Sequence, residues 1–165
     1  MSESETLFSI AQVAIGLAGF SAIVVGFKRL ESGDWHRADA DRFNGMLIHA
    51  MCAALFCVLP SILAPFAPSA SALWTLASAL IGLQITVHAG LVLTLSSTDL
   101  AGRIQVGGFA AAVVLLQASN VLGVGFDHAF GPYLVGVLWH VIQAGVLFVM
   151  MTFVRAADIR DDSRD

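Results

Sequence analysis

Long apolar runs dominate the chain, and short polar breaks separate them. The runs are Leu7–Phe27, Phe43–Phe66, Ala72–Ser96, Ile104–Gly125 and Pro132–Val154, and none holds an Asp, Glu, Lys or Arg. Each reaches the length of about 20 residues that an α-helix needs to cross a bilayer. A charged loop, 28–42, follows the first run. Ala67-Pro68-Ser69 makes a tight turn after the second, a short polar loop follows the third, and Phe126-Asp127-His128 opens a turn before Gly131-Pro132. A charged tail, 155–165, closes the chain. The pattern predicts an all-α fold: a polytopic membrane helical bundle of five transmembrane helices in a single membrane domain, with almost nothing outside it.

Composition agrees. Of the 165 residues, 58% are hydrophobic and 12% charged, against about 45–50% and about 25% in soluble domains. Disorder is excluded by this hydrophobicity. A net charge of −4 argues against a nucleic-acid partner. Two cysteines, Cys52 and Cys57, both in one apolar run, do not make a disulfide scaffold.

Basic residues give an orientation. Five crossings place loop 28–42, loop 96–103 and the tail on one side, and that side carries all eight Lys and Arg residues. The positive-inside rule counts Lys and Arg rather than net charge, so the nine acids on the same side do not weaken it. The expected topology is N-terminus out and C-terminus in, with loop 28–42 and tail 155–165 cytoplasmic. Glu3 and Glu5 stand where a signal peptide has basic residues, so the first run reads as an anchor. The expected location is a plasma membrane, as a multi-pass protein.

Small residues recur at i+4 steps: Ala14, Ala18, Ala22 and Gly26 in the first run, Ser78, Gly82, Thr86 and Gly90 in the third, and Gly136, His140 and Ala144 in the fifth. Such stripes let helices approach closely in lipid. Pro60 predicts a kink near Phe56. Trp74 and Tyr133 read as interface anchors, and Trp139 as a packing residue. Before the second run, Ser32 or Asp34 would cap a helix carrying an Arg37–Asp41 pair, with Trp35 open to a partner.

Polar side chains at membrane depth mark the candidate sites. At about 1.5 Å per residue, Gln12, Ser78, Gln117, Asn120 and His140 fall in one layer of the outer half, and Gln143 shares a face with His140. One reading is that these groups hydrogen-bond across helices in a non-enzymatic accessory, structural or oligomeric membrane protein. Its partners would be the lipid bilayer and a second copy or another membrane protein, with no cofactor. The alternative makes Gln12, Gln117, Asn120, His140 and Gln143 the lining of a small solute transporter or channel. A third reading uses His49 and His88 as axial ligands of haem b in a redox protein. No metal site or catalytic constellation appears, because Cys52 and Cys57 point to different helix faces and no carboxylate lies within a span.

Gly19-Phe20-Ser21-Ala22-Ile23-Val24-Val25 is similar to Gly108-Phe109-Ala110-Ala111-Ala112-Val113-Val114. His49 and His140 follow at comparable distances. An inverted repeat of runs one–two and four–five around run three would explain both, and inverted repeats recur in transporters.

The stretch Ser9-Ile10-Ala11-Gln12-Val13-Ala14-Ile15-Gly16-Leu17-Ala18-Gly19-Phe20-Ser21-Ala22-Ile23-Val24-Val25, closing on Lys28-Arg29, resembles a group of small uncharacterised multi-span bacterial inner-membrane proteins. So does Asp39-Ala40-Asp41-Arg42-Phe43, leading to Leu59-Pro60-Ser61. The likeness covers about the first 65 residues and implies a bacterial inner membrane and no particular activity.

Overall fold

The computed structural model describes residues 2–32, 37–95 and 100–153, and leaves the side chains of 28–32, 37–38, 95, 100–102, 105 and 153 aside. Among the described residues the chain is all-α: α1 (Glu3–Ser32), α2 (Arg37–Leu63), α3 (Ala70–Leu95), α4 (Leu100–Val121) and α5 (Phe130–Phe153), with a 3₁₀ turn at Ala64–Phe66. Four stretches, Glu3–Phe27, Asp39–Phe66, Ala70–Thr94 and Phe130–Thr152, are long and apolar enough to cross a membrane; the apolar part of α4, Val106–Val121, is shorter.

Local chemistry explains the helix ends. Ser2 and Glu5 form a capping box: the Glu5 amide donates to Ser2 Oγ at 3.2 Å, and the Ser2 amide to Glu5 Oε2 at 2.7 Å. Two free donors of the first turn are thus satisfied reciprocally. Ser69 caps α3, accepting from the Ala72 amide at 3.2 Å. At the end of α4 the Gly123 amide donates to Asn120 O at 3.3 Å and the Val124 amide to Ser119 O at 2.9 Å. This is a Schellman motif, and its left-handed position falls on Gly123 at φ +67°. Helix α2 continues through Pro60 to Leu63. The capping by Ser32 or Asp34, the Arg37–Asp41 pair and the role of Trp35 lie outside the described side chains; the pair seen at the start of α2 is Arg42–Asp39, 3.3 Å.

The chain divides into two compact units: Met1–Cys57 with His140–Asp165, and Val58–Trp139. The first has a core of Met46, Ala50 and Ala144, packed by Leu17, Ala18, Phe43, Leu47, Leu147 and Phe148. In the second, α3 and α4 pack together around Ala77, Ile81, Ala110 and Val113, and Trp74 closes on both Phe130 and Tyr133, with ring centroids 5.0 Å apart for Trp74–Phe130 and 5.6 Å for Trp74–Tyr133. Trp74 and Tyr133 are buried, so they form an aromatic core rather than the interface anchors their positions suggested.

Buried positions follow one spacing. In α1 they are Leu7, Ala11, Ala14, Ser21 and Val25; in α2, Met46, His49 and Ala50, Ala53, Phe56 and Cys57, and Pro60; in α5, Pro132 and Tyr133, Gly136 and Val137, His140, Ala144 and Met151. Steps of four and three alternate, averaging 3.5 residues, as in helices that cross at small angles. The i+4 stripes do not keep to this seam. Ala22, Gly26, Thr86 and Gly90 are exposed, because each step of four overshoots a full turn by about 40°, and three steps leave the face. The stripe Gly136, His140 and Ala144 stays buried.

Outward, the large side chains dominate. Phe8, Ile15, Phe20, Ile23 and Phe27 are exposed on α1, while Ala11, Ala14 and Ser21 are buried. Small inside and large outside suits a lipid surround, where the surface gains nothing from being polar and the contacts need close backbones.

Glycine positions test the packing. A Cβ at Gly136 would lie 3.0 Å from Ile81 Cδ1 and 3.1 Å from Gln117 Nε2, whereas one at Gly16 meets nothing within 4 Å. Gly136→Ala is expected to destabilise the fold by about 1–3 kcal/mol through overpacking. Gly16→Ala should be neutral or stabilising by up to about 1 kcal/mol, the helix-propensity difference. Unfolding in mixed micelles followed by circular dichroism measures both.

Candidate functional site

Several hydroxyls within the apolar helices bond to their own helix, and some polar side chains meet a polar group of another element. Ser21 donates to Leu17 O at 2.6 Å, Thr86 to Gly82 O at 2.8 Å and Thr152 to Phe148 O at 2.7 Å. Such back-bonding satisfies a hydroxyl without a partner helix.

In the second unit Asn120 makes the densest contact. Its Nδ2 donates to Ser78 Oγ at 2.8 Å and to Ala129 O at 3.0 Å, and its Oδ1 accepts from the Ala129 amide at 2.8 Å. The side-chain amide thus grips both backbone groups of one residue, as a neighbouring strand would. Asn120 and Ser78 are both fully buried. The clamp ties the end of α4, the start of α5 and α3. One helical turn earlier, Gln117 Nε2 donates to Pro132 O at 2.6 Å. Gln117 Oε1 is buried with no hydrogen-bond partner among the described residues. The turn adds one more polar pair, Thr75 Oγ1 with His128 Nδ1 at 3.0 Å. Thr75 also donates to Ser71 O at 2.8 Å. With the hydroxyl proton used there, His128 Nδ1 carries the proton of the shared bond.

In the first unit His140 meets His49. Its Nδ1 lies 3.0 Å from His49 Nδ1, with ring centroids 5.3 Å apart, and Phe56 stacks on its face at 6.0 Å and 6°. Both histidines are buried, at 7% and 1% exposure. The 3.0 Å separation is that of a hydrogen bond.

The sequence candidates are therefore distributed. Gln117 and Asn120 stand together on α4, while Gln12 is exposed on α1 and Gln143 is half-buried on α5. His140 joins His49, the two positions that the internal likeness had set in correspondence. Of the two haem-ligand candidates, His49 lies in the first unit and His88 in the second. His88 and Gln84 line an open groove on one face of α3 with Leu80, Leu83, Val87 and Leu91. Cys52 and Cys57 are free thiols, and no group of three or more metal-ligating side chains occurs among the described residues. The His49–His140 meeting and the Thr75–His128 pair were not predicted by spacing. The Leu122-Gly123-Val124-Gly125 stretch next to His128 was the available signal for the second.

No family model, curated protein or solved structure matches the chain.

Two sets of variants separate these contacts. Asn120→Ala strands both backbone groups of Ala129 and is expected to cost about 1–3 kcal/mol. Gln117→Met should cost less, since it also removes an acceptor that has no donor. For the histidines, a double-mutant cycle of His49→Ala and His140→Ala is expected to return a favourable coupling of about 0.6–1.7 kcal/mol, the range of interhelical bonds in lipid. Denaturant titration of the reconstituted protein reads all of these.

Proposed function

We propose that the chain is a five-span integral membrane protein of a bacterial inner membrane, N-terminus out and C-terminus in, with a non-enzymatic accessory or structural role in an assembly with a second copy or another membrane protein. The observation that carries the reading is the disposal of polar atoms. Asn120 bonds Ser78 and Ala129, Gln117 bonds Pro132, and His49 bonds His140, while large apolar side chains face outward. Groups committed to one another support a bonding role over the lining of a solute path, in which side chains would be held ready for a passing ligand.

The orientation rests on the eight basic residues and the positive-inside rule. The count of five requires α4 to cross as well. Its uncharged part runs from Ile104 to Val121, and the uncharged sequence continues beyond the helix to Phe126.

Cysteine labelling tests the topology. In a Cys52→Ala/Cys57→Ala background, a membrane-impermeant maleimide added to intact cells is expected to label Ser4→Cys and to spare Ser163→Cys until the cells are permeabilised. Labelling of both from the same side would mean an even number of crossings and would overturn the reading.

A further inference from the structure

The apolar run around α4 outlasts the helix. The uncharged helix from Ile104 to Val121, at 1.5 Å per residue, measures about 27 Å, against a hydrocarbon core of about 30 Å. The next five residues, Leu122-Gly123-Val124-Gly125-Phe126, are all apolar or glycine, but they form a turn, with Gly123 at φ +67° and Gly125 at +77°. Leu122 is 73% exposed, Val124 64% and Phe126 39%. Turns that face water are rich in Asn, Asp, Ser and Pro; this one presents three large apolar side chains instead.

The turn is also fixed at both ends. The Leu122 amide donates to Ala118 O at 2.9 Å, and the Schellman bonds hold Gly123 and Val124. Asn120 holds Ala129 by both backbone groups. A Cβ at Gly123 would lie 3.2 Å from His128 Nε2, so the turn closes on itself. Such anchoring keeps Leu122, Val124 and Phe126 outward instead of letting them fold back.

We propose that the 122–126 turn lies at the edge of the hydrocarbon core and that Leu122, Val124 and Phe126 contact lipid acyl chains, completing the crossing that α4 begins. The inference rests on the membrane reading above and gives it a depth. Backbone hydrogen bonding places the turn at the boundary rather than deeper. Residues 125–128 make no backbone–backbone hydrogen bond among the described residues, and bare backbone exposed to lipid is not tolerated within the core. At the boundary, headgroups and water reach those groups. Asp127, exposed beside Phe126, then sits on the wet side of the edge. The arrangement resembles that of interfacial segments, which bury apolar side chains by a few ångströms while their polar groups stay hydrated.

Spin labels on the full chain test this. In the Cys52→Ala/Cys57→Ala background, nitroxides are placed at Leu122→Cys and Val124→Cys, at Leu115→Cys in the middle of α4, and at Ser4→Cys as an aqueous reference. The protein is reconstituted in phosphatidylethanolamine–phosphatidylglycerol vesicles, and relaxation by oxygen is compared with relaxation by a water-soluble nickel chelate. Leu115 is 69% exposed, so its label reads lipid without disturbing packing. The expected oxygen-to-nickel ratio is highest at Leu115, and at Leu122 and Val124 it is severalfold above Ser4. If both turn labels match Ser4 while Leu115 stays high, the turn is in water and the proposal fails although the membrane reading stands. If Leu115 also matches Ser4, the membrane reading falls and the turn's depth with it.

Discussion

A buried polar group is costly to leave unmatched, and the contacts of Asn120 show how this protein meets that cost. The cost of an unmatched amide or hydroxyl in an apolar surround is several kcal/mol, about the net stability of a small domain. Asn120 meets the constraint most completely. Its amide makes three hydrogen bonds, two of them to the backbone of Ala129, so one side chain closes the connection from α4 to α5 and fastens it to α3. A carboxylate at 120 could accept the Ala129 amide but could not donate to Ser78 or Ala129 O. A hydroxyl is too short to bridge all three. The contact needs an amide, with its paired donor and acceptor.

The same constraint orders the packing. With no hydrophobic force between helices in lipid, association depends on close contact and on the few hydrogen bonds available. Several buried positions therefore hold alanine or serine, such as Ala14, Ser21, Ala53 and Ala77, while many of the leucines, phenylalanines and isoleucines are exposed. Two large side chains fill places left by glycines: Leu147 Cδ1 stands 3.2 Å from where a Cβ on Gly45 would be, and Ile81 Cδ1 stands 3.0 Å from that place on Gly136.

Much of this was legible in the residues. Charge-free runs between polar breaks marked five helices within a few residues of their observed ends, because any helix facing lipid must be apolar all round. Gln117 and Asn120 were identified as buried polar groups from depth alone. Less of the pairing was readable. Depth along a helix does not say which way a side chain points, so Gln12 was grouped with Asn120 although it is exposed on α1. Trp74 and Tyr133 lie near helix ends, as interface anchors do, but rotation about the axis turns both into an aromatic cluster. Two of the three small-residue stripes left the seam for a related reason. A spacing of four drifts off a seam whose average is 3.5, a difference that only the facing helices impose.

The His49–His140 contact carries the argument one step further, because its symmetry fixes its chemistry. The same atom, Nδ1, approaches from each ring to 3.0 Å, and a hydrogen bond needs one donor and one acceptor. One ring must therefore carry a proton on Nδ1 while the other is bare there. Two Nδ1–H groups would face each other, as would two lone pairs, so identical rings at matching positions are held in different tautomers. The bare ring is neutral and carries its proton on Nε2; its partner keeps Nδ1–H whether neutral or charged. Phe56, stacked parallel on His140, limits how that ring can turn.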